Sequence, residues 1–324
     1  MHFLRVSIIA IAGLVASLCG PVLAQSSYPD KPLRIVSPFA AGGTTDVIAR
    51  IVAQKLAEGF GQPVIVDPKP GANGIVAAEH VAKSAPDGYT IIIASNGTHG
   101  INSSLFAKLP YDPVKDFAPI TRLGYTGYLL VVNSTSPVSS VGDLVARAKA
   151  NPGRHSLAYT ASVAQLTGAL FMLTTGINMI PVPYKTPTQA FTDLIGGNVD
   201  ALIEPITSAL PQVKGGRLKA LAVTSTRRSS LAPDIPTFAE SGYTGFEVTG
   251  SLAFYAPAGT PKDIIAKLHS GLSRVLTSPD TKEKLLQVGW EVALTSPTEL
   301  AEALNAEIAT WARVFKEANL PKAQ

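Results

Sequence analysis

Short apolar runs alternate along the chain with stretches in which apolar residues recur every three or four positions. The runs predict β-strands and the periodic stretches predict amphipathic helices. The predicted strands cover residues 33–36, 64–66, 90–94, 129–132, 157–159, 180–182, 201–203, 218–223 and 252–256. The predicted helices cover residues 47–60, 141–150, 165–175, 188–195 and 208–214. Strands alternating with helices are typical of an α/β fold.

The pattern changes after residue 256, where it is helical to the C terminus. Leu300, Leu304, Ile308, Trp311 and Phe315 recur at spacings of three and four. Such spacing places one apolar stripe on a helix and leaves the other side polar. We therefore expect the C-terminal part to pack as helices.

The junction between the first strand and the first helix is the strongest candidate site. It reads PFAAGGTTD over residues 38–46. Glycine lets the chain turn sharply and lets backbone N–H groups approach a ligand. The unpaired N–H groups and the dipole of a helix start attract anions. The junction predicts a carboxylate or phosphate cradle, although two glycines can also serve only to turn the chain.

The motif differs from two common phosphate-binding loops. It lacks the Gly-Lys-Ser/Thr of a P-loop, and it does not fit the GxGxxG dinucleotide fingerprint. We expect Gly43 and Thr45 to matter more to binding than any single Lys or Arg, because a side chain at Gly43 would misdirect the N–H groups. Arg50 is expected to brace the first helix.

The N-terminal segment has the features of a secretory signal peptide. A basic start is followed by an apolar core over residues 8–18 and by small residues before Gln25. We expect residues 1–24 to be removed and the protein to reach the periplasm. Cys19 is the only cysteine and permits a lipid anchor as the alternative, but Leu18 before it is large for a lipid-attachment site.

Composition narrows the class of partner. The net charge of +4 at pH 7 suits a small anion and is too low for a nucleic-acid-binding protein. The histidines beyond the signal, His80, His99, His155 and His269, are scattered and have no metal-ligand spacing. A GxSxG elbow is absent from the sequence. We expect no enzyme activity, no catalytic residues, no cofactor and no metal.

Motifs in a fixed order resemble the solute-binding proteins of the tripartite tricarboxylate transporter, the Bug family. They are YPDKP at 28–32, PFAAGGTTD at 38–46 with AR at 49–50, GQPV at 61–64, PGANG at 70–74, PDGYT at 86–90, VPYK at 182–185, LAVT at 221–224, PTFAE at 236–240 and APAGTP at 256–261. The resemblance implies a two-lobed periplasmic binding fold of type II with the ligand in the cleft. It places lobe 1 at 25–126 and 250–324, and lobe 2 at 127–249.

The resemblance also implies a function. Such a receptor captures an organic carboxylate, either a dicarboxylate or a tricarboxylate and either aliphatic or aromatic, as a monomer. It then hands the ligand to the membrane permease subunits of the transporter. A ligand-sensing subunit for a membrane signalling protein would use the same cleft and remains the alternative, with an enzyme acting on a carboxylic acid less favoured.

Family members typically hold a carboxylate with backbone N–H groups, hydroxyls and waters. One side of the cleft would be the 38–46 loop, and the other would be 160–165, where this chain has alanines and Gln165 in place of a glycine-rich turn and a histidine. The expected ligand-binding residues are Phe39, Ala41, Gly42, Gly43, Thr44, Thr45, Asp46, Ser95, Thr98, His99, Ala161, Ser162, Val163, Ala164, Gln165 and Glu204.

Two of these assignments, His99 and Glu204, have structural alternatives. His99 could contact ligand or pack in the interior. Glu204 could contact ligand or form a hydrogen bond that closes the lobes. Trp290 is expected at a core-like position without a stacking role.

Overall fold

The computed structural model describes residues 28–160 and 162–322. The strands are β1 (Leu33–Ser37), β2 (Val64–Pro68), β3 (Thr90–Ser95), β4 (Phe117–Asn133), β5 (Ser156–Tyr159), β6 (Ile180–Pro183), β7 (Ala201–Pro205), β8 (Leu218–Val223), β9 (Thr249–Pro257) and β10 (Glu291–Val292). The helices are α1 (Thr44–Phe60), α2 (Ile75–Ala82), α3 (Asn102–Leu105), α4 (Val141–Ala150), α5 (Ser162–Thr175), α6 (Pro187–Gly196), α7 (Ile206–Lys214), α8 (Lys262–Thr277), α9 (Pro279–Gln287) and α10 (Pro297–Glu317). The expected signal peptide and Ala161 lie outside the described residues.

Every predicted strand and helix is present, with ends that move by a few residues. Helices α2 and α3, the short strand β10 and the first half of β4 were not predicted. Strand β4 begins at Phe117, well before the predicted residues 129–132. Its pairing register shifts between Pro119 and Thr121 and again between Arg122 and Gly124, so the period-two pattern of an ordinary strand is interrupted.

Local sequence explains where the long helices begin and end. In α1, Ile48, Val52 and Leu56 lie four residues apart and are buried. The helix ends at Gly61, whose left-handed φ of 69° suits glycine. Helix α10 begins with a capping box in which the Ser296 hydroxyl accepts from the Glu299 N–H and the Glu299 carboxylate accepts from the Ser296 N–H.

The sheet consists of two strand groups that share β4. The first group runs β2-β1-β3-β9-β4, with β10 also paired to β4. Strands β1, β2 and β3 are parallel, whereas β9 is antiparallel to both β3 and β4. The second group runs β4-β7-β5-β6, with β8 on the other side of β4. Strands β5, β6 and β7 are parallel to one another.

The passage between the two groups occurs within β4. Up to Gly127 the strand pairs with β9, and from Tyr128 onward it pairs with β7 and β8. The Thr224 hydroxyl accepts from the Tyr128 N–H at 3.0 Å and donates to the Val248 carbonyl at 2.5 Å. The Thr224 side chain therefore connects β4 with the segment just before β9. These are the two segments through which the chain passes from one strand group to the other.

The second half of β4 is buried on both faces. Leu130 and Val132 belong to one hydrophobic cluster, and Leu129 and Val131 belong to another. Successive side chains of a strand point to opposite faces, so this sheet is covered on both sides.

Candidate functional site

A cavity of about 290 Å³ lies where the ends of β3 and β9, the crossing in β4 and the starts of α1, α5 and α7 meet. Its size suits a small molecule. The lining residues are Phe39, Thr44, Thr45, Asn73, Ser95, Asn96, Gly97, Ile101, Thr126, Tyr128, Ser162, Val163, Pro205, Thr207, Gly250, Ser251, Leu252 and Trp290. None of these described lining residues carries a charged side chain.

Two helices begin at the cavity without a side-chain cap. Gly43 precedes α1 in an extended conformation, and no side chain bonds to the first-turn N–H groups. Pro205 precedes α7, again without a capping side chain. Thr44, Thr45 and Thr207 place these two helix starts in the lining. Unpaired N–H groups and helix dipoles here favour an anion even though none of the described lining residues is basic.

The loop before α1 is held by Asp46 from behind the cavity. Its Oδ2 atom accepts from the Gly42 N–H at 3.0 Å and from Arg50 Nε at 2.8 Å. The Arg50 guanidinium, together with the Gly42 N–H, holds the pKa of the Asp46 carboxyl below its usual value. Asp46 is buried and stays ionised at neutral pH, so it fixes the turn. Arg50 does not line the cavity, in agreement with its expected bracing role.

The sequence analysis expected a side chain at position 43 to misdirect the N–H groups of the turn. The backbone geometry shows that this reason for requiring glycine is wrong. Gly43 has a φ of −78°, which any residue adopts. A Cβ added there would meet only the Ala40 carbonyl oxygen, at 3.5 Å, which is ordinary contact. Gly42 has the left-handed φ of 84° and is the position where the turn requires glycine.

We expect Gly42→Ala to lower the free energy of unfolding by about 1–2 kcal/mol, because an L-residue is strained at this φ. The matched variant Gly43→Ala should change it by less than about 1 kcal/mol, since a weaker N-cap and a less flexible unfolded chain offset each other. Urea unfolding measures both. Equal destabilisation by the two substitutions would contradict the assignment of the turn to Gly42.

A loop with strained backbone, residues 71–74, places Asn73 in the cavity lining. Residues 71–74 all have positive φ, with Ala72 at 45° and Asn73 at 53°. The Asn73 amide donates to Asn102 Oδ1 at 2.7 Å. Strained backbone tends to cluster at ligand sites, and this loop borders the cavity. The PGANG motif entered the sequence analysis only as part of the family resemblance, and nothing in it indicated that Asn73 faces the same cavity as the start of α1.

Glu204 braces the turn on the opposite side. It is only 2% exposed, and its carboxylate accepts from Thr160 Oγ1 at 2.6 Å and from Ser208 Oγ at 2.9 Å. Burial raises the pKa of this carboxyl, and the two hydrogen bonds partly offset that rise. All three residues belong to the second strand group. The bonds are therefore neither a ligand contact nor a bond between the groups; they hold the end of β5 against α7.

The 160–165 stretch contributes two residues to the lining. Ser162 and Val163, in the first turn of α5, line the cavity, whereas Ala164 and Gln165 do not. Ala161 lies outside the described residues. Among the neighbours that are described, Thr160 and 162–165, none has a positive φ, so the backbone accommodates Ala164 without strain.

His99 packs in the interior. It is 2% exposed and stacks on Tyr255 with ring centroids 4.4 Å apart, and Phe117 lies 4.5 Å away. Its Nδ1 atom bonds to Thr98 Oγ1 at 3.1 Å. Burial lowers the pKa of His99 to about 3, so the ring is neutral. Neither His99 nor Thr98 lines the cavity; Thr98 instead donates to the Ser95 carbonyl and shapes the turn after β3.

The structure thus brings together six of the expected residues. Those that line the cavity are Phe39, Thr44, Thr45, Ser95, Ser162 and Val163. Those described but outside its lining are Ala41, Gly42, Gly43, Asp46, Thr98, His99, Ala164, Gln165 and Glu204.

Trp290 is the largest side chain of the lining that sequence reasoning did not place there. It is mostly buried, as expected, but part of it faces the cavity. Gly289 before it has a φ of 79°, and a Cβ there would lie 1.8 Å from Thr207 Cγ2. This close approach sets the turn against the start of α7 and directs the indole. Gly289 directly before the tryptophan was the local signal of a turn at this position.

Comparison with known proteins identifies the family. The family model described as "Tripartite tricarboxylate transporter family receptor" matches residues 48–320. The chain belongs to this receptor family. Protein BugT of Bordetella pertussis is 36% identical over 314 residues, covering 96% of each chain.

Several solved structures are similar to this chain in both sequence and fold. The structure "R. palustris Rpa4515 with adipate" is 34% identical with a TM-score of 0.76, covering 91% of this chain and 100% of that one. MatC from Rhodopseudomonas palustris, with bound malate, is 33% identical with a TM-score of 0.70, covering 89% and 99%. The fold of this receptor is the two-lobed periplasmic binding fold of α/β class, as the sequence motifs implied.

Membership of this receptor family also indicates the cellular compartment. Family members are periplasmic binding proteins. Across 28–160 and 162–322, none of the helices combines the length and hydrophobicity that a membrane span needs.

Proposed function

We propose that this receptor captures a small organic carboxylate in the cavity between its two lobes and delivers it to the membrane permease subunits of a tripartite tricarboxylate transporter. The observation that carries the proposal is the cavity itself. Two uncapped helix starts border it, and no charged side chain lines its described surface. Such a site compensates an anion by N–H groups and dipoles, as in other anion sites at helix starts.

The ligands of similar receptors support the chemical class. Rpa4515 is described with adipate and MatC with malate, and both are carboxylates. The chain is a solute receptor by family, and we propose that it has no enzymatic step of its own.

The proposed lobes follow the strand groups. Lobe 1 would comprise 25–126 and 250–324, and lobe 2 would comprise 127–249. Support comes from β4, which changes pairing partner at Gly127, and from β9, which begins at Thr249. Ligand contacts from both lobes would favour a closed state in proportion to their extra affinity. We further propose that the protein works as a monomer in the periplasm after removal of residues 1–24.

A thermal-shift screen over monocarboxylates, dicarboxylates and tricarboxylates, each with its neutral amide as control, tests the proposal. At least one acid should raise the melting temperature while its amide does not. A screen in which no acid binds, or in which acid and amide bind equally, would contradict carboxylate capture.

Two variants then test how the anion is held. Thr45→Val keeps the side-chain shape and removes a hydroxyl, which should weaken binding by about ten-fold if that hydroxyl bonds to the carboxylate. Arg50→Ala should weaken binding less, because Arg50 acts only through Asp46. Calorimetry measures both, with circular dichroism as a check on folding. Loss of binding in a folded Arg50→Ala protein, with Thr45→Val normal, would instead indicate an arginine clamp.

A further inference from the structure

The floor of the cavity carries two hydroxyls from β4. Thr126 and Tyr128 are two residues apart, so they lie on one face of the strand, and both line the cavity. Gly250, on β9, is the residue that pairs with Thr126 of β4. A Cβ at Gly250 would lie 3.0 Å from Thr126 Cγ2 and 3.5 Å from the Tyr128 hydroxyl oxygen. The glycine therefore leaves this pair of side chains uncovered.

The Thr126 hydroxyl has no protein partner. The side chain is 7% exposed, and its Oγ1 atom forms no hydrogen bond within the described chain. Buried hydroxyls in folded proteins are almost always hydrogen-bonded, and those without a protein partner call for an explanation. Because Thr126 lines a cavity of ligand size, we attribute the missing partner of its hydroxyl to the ligand.

The floor does not favour a second negative charge. Burial, and after it the nearby Glu204 carboxylate, raise the pKa of Tyr128, so the phenol is neutral. Glu204 itself lies on β7 opposite Leu129, on the other face of the sheet from Tyr128. A carboxylate on the floor would be buried with no basic side chain in the described lining to compensate its charge. An uncharged oxygen would carry no such cost.

Part of the lining is polar, and the remainder suits an apolar body. Ile101, Val163, Leu252 and Trp290 line the cavity, and Phe39 adds a further ring. These side chains offer contact area without further hydrogen-bond donors, apart from the indole N–H.

We propose that Thr126 and Tyr128 determine specificity by selecting an acid with one carboxylate, an apolar body and an uncharged hydroxyl or carbonyl oxygen at the far end. This inference rests on the proposed capture of a carboxylate. The single carboxylate occupies the helix starts, and the distal oxygen bonds to the floor hydroxyls.

Two matched ligand series test the selection by calorimetry on the full-length mature protein. One is hexanoate, 6-hydroxyhexanoate and adipate, and the other is benzoate, 4-hydroxybenzoate and terephthalate. In the series that fits the cavity, the hydroxy acid should bind about two- to ten-fold more tightly than the parent acid and more tightly than the diacid.

Variants show whether the floor causes the preference. Thr126→Val and Tyr128→Phe should each reduce the ratio of hydroxy-acid to parent-acid affinity toward one. Tyr125→Phe is the matched control, because Tyr125 lies on β4 outside the lining, and the ratio should be unchanged. Thr126→Val should also raise the melting temperature of the ligand-free protein, since it removes an unpaired buried hydroxyl. A purely structural hydroxyl would show the opposite shift.

The outcomes separate the inference from the proposed function. If a diacid binds most tightly, or if the floor variants weaken parent and hydroxy acid equally, the inference is overturned while carboxylate capture stands. If the wild-type protein binds none of the acids in either series or in the wider screen, both are overturned.

Discussion

The free energy of unfolding is expected to fall by about 2 kcal/mol between pH 7 and pH 5 through His99 alone. In the unfolded chain the imidazole takes up a proton near pH 6.5, whereas burial lowers the pKa of folded His99 to about 3. Between these values the unfolded state binds more protons. The stability contributed by the neutral ring is therefore present above pH 6.5 and is lost progressively as the pH falls toward 3.

The packing explains why the folded ring resists protonation. His99 lies against Tyr255, Phe117 and Tyr111, and its Nε2 atom is buried without a hydrogen-bond partner in the described structure. A charged imidazolium here would lose its hydration, and no hydrogen-bond acceptor in the described structure faces Nε2 to compensate. The energetic cost therefore appears as acid sensitivity of the fold.

Urea unfolding of the wild-type protein and of His99→Phe at several pH values measures the effect. Phenylalanine matches the aromatic surroundings and cannot titrate, so the difference in stability between the two proteins should change by about 2 kcal/mol from pH 7 to pH 5. Buried Glu204 has a raised pKa and acts in the opposite direction, but it is common to both proteins. Parallel pH profiles would contradict the assignment.

Gly74→Ala is expected to lower the free energy of unfolding by about 2–5 kcal/mol, which sums left-handed strain and overpacking. Gly74 has a φ of 83°, and a Cβ there would lie 2.5 Å from Thr98 Cγ2 and 2.9 Å from Pro38 Cβ. Relief would require movement of the turn after β3 and of the loop before α1. Both border the cavity, so ligand affinity should fall as well.

Gly59→Ala is the matched control. Gly59 lies in α1, and a Cβ there would meet nothing within 4 Å. Alanine favours a helix, so this variant should be more stable by about 0.5–1 kcal/mol. Chemical unfolding compares the two variants. A Gly74→Ala protein as stable as the wild type would show that the 70–74 loop can move without cost.

The elements of this fold are predictable because their signals are local. Apolar periodicity places strands such as β3 and helices such as α4 within a few residues. The first half of β4 escapes prediction because Pro119, Gly124 and Gly127 interrupt its alternation, and its pairing with β9 holds it in place instead. That pairing joins residues far apart in the chain, so no window of sequence contains it.

Some residues of the candidate site are likewise predictable from local sequence, and others are not. Glycines and threonines at a strand-to-helix junction indicate the α1 start from sequence alone. A buried polar residue such as His99 or Glu204 resembles a ligand-binding residue in sequence, because its packing partners come from other elements. Trp290, Thr126 and Tyr128 reach the cavity only through the crossing of β4 and the turn before β10.

The position of β9 has a consequence for when the chain can fold. Strand β9 lies between β3 and β4, so Ile92 pairs with Tyr255 and the first strand group lacks a central strand until that late segment is available. Contacts between such distant residues form slowly, because a long loop must close first. The chain belongs to a periplasmic family, and we expect this topology to delay completion of the fold until residues 249–257 are available. Such a delay would leave time for export before folding.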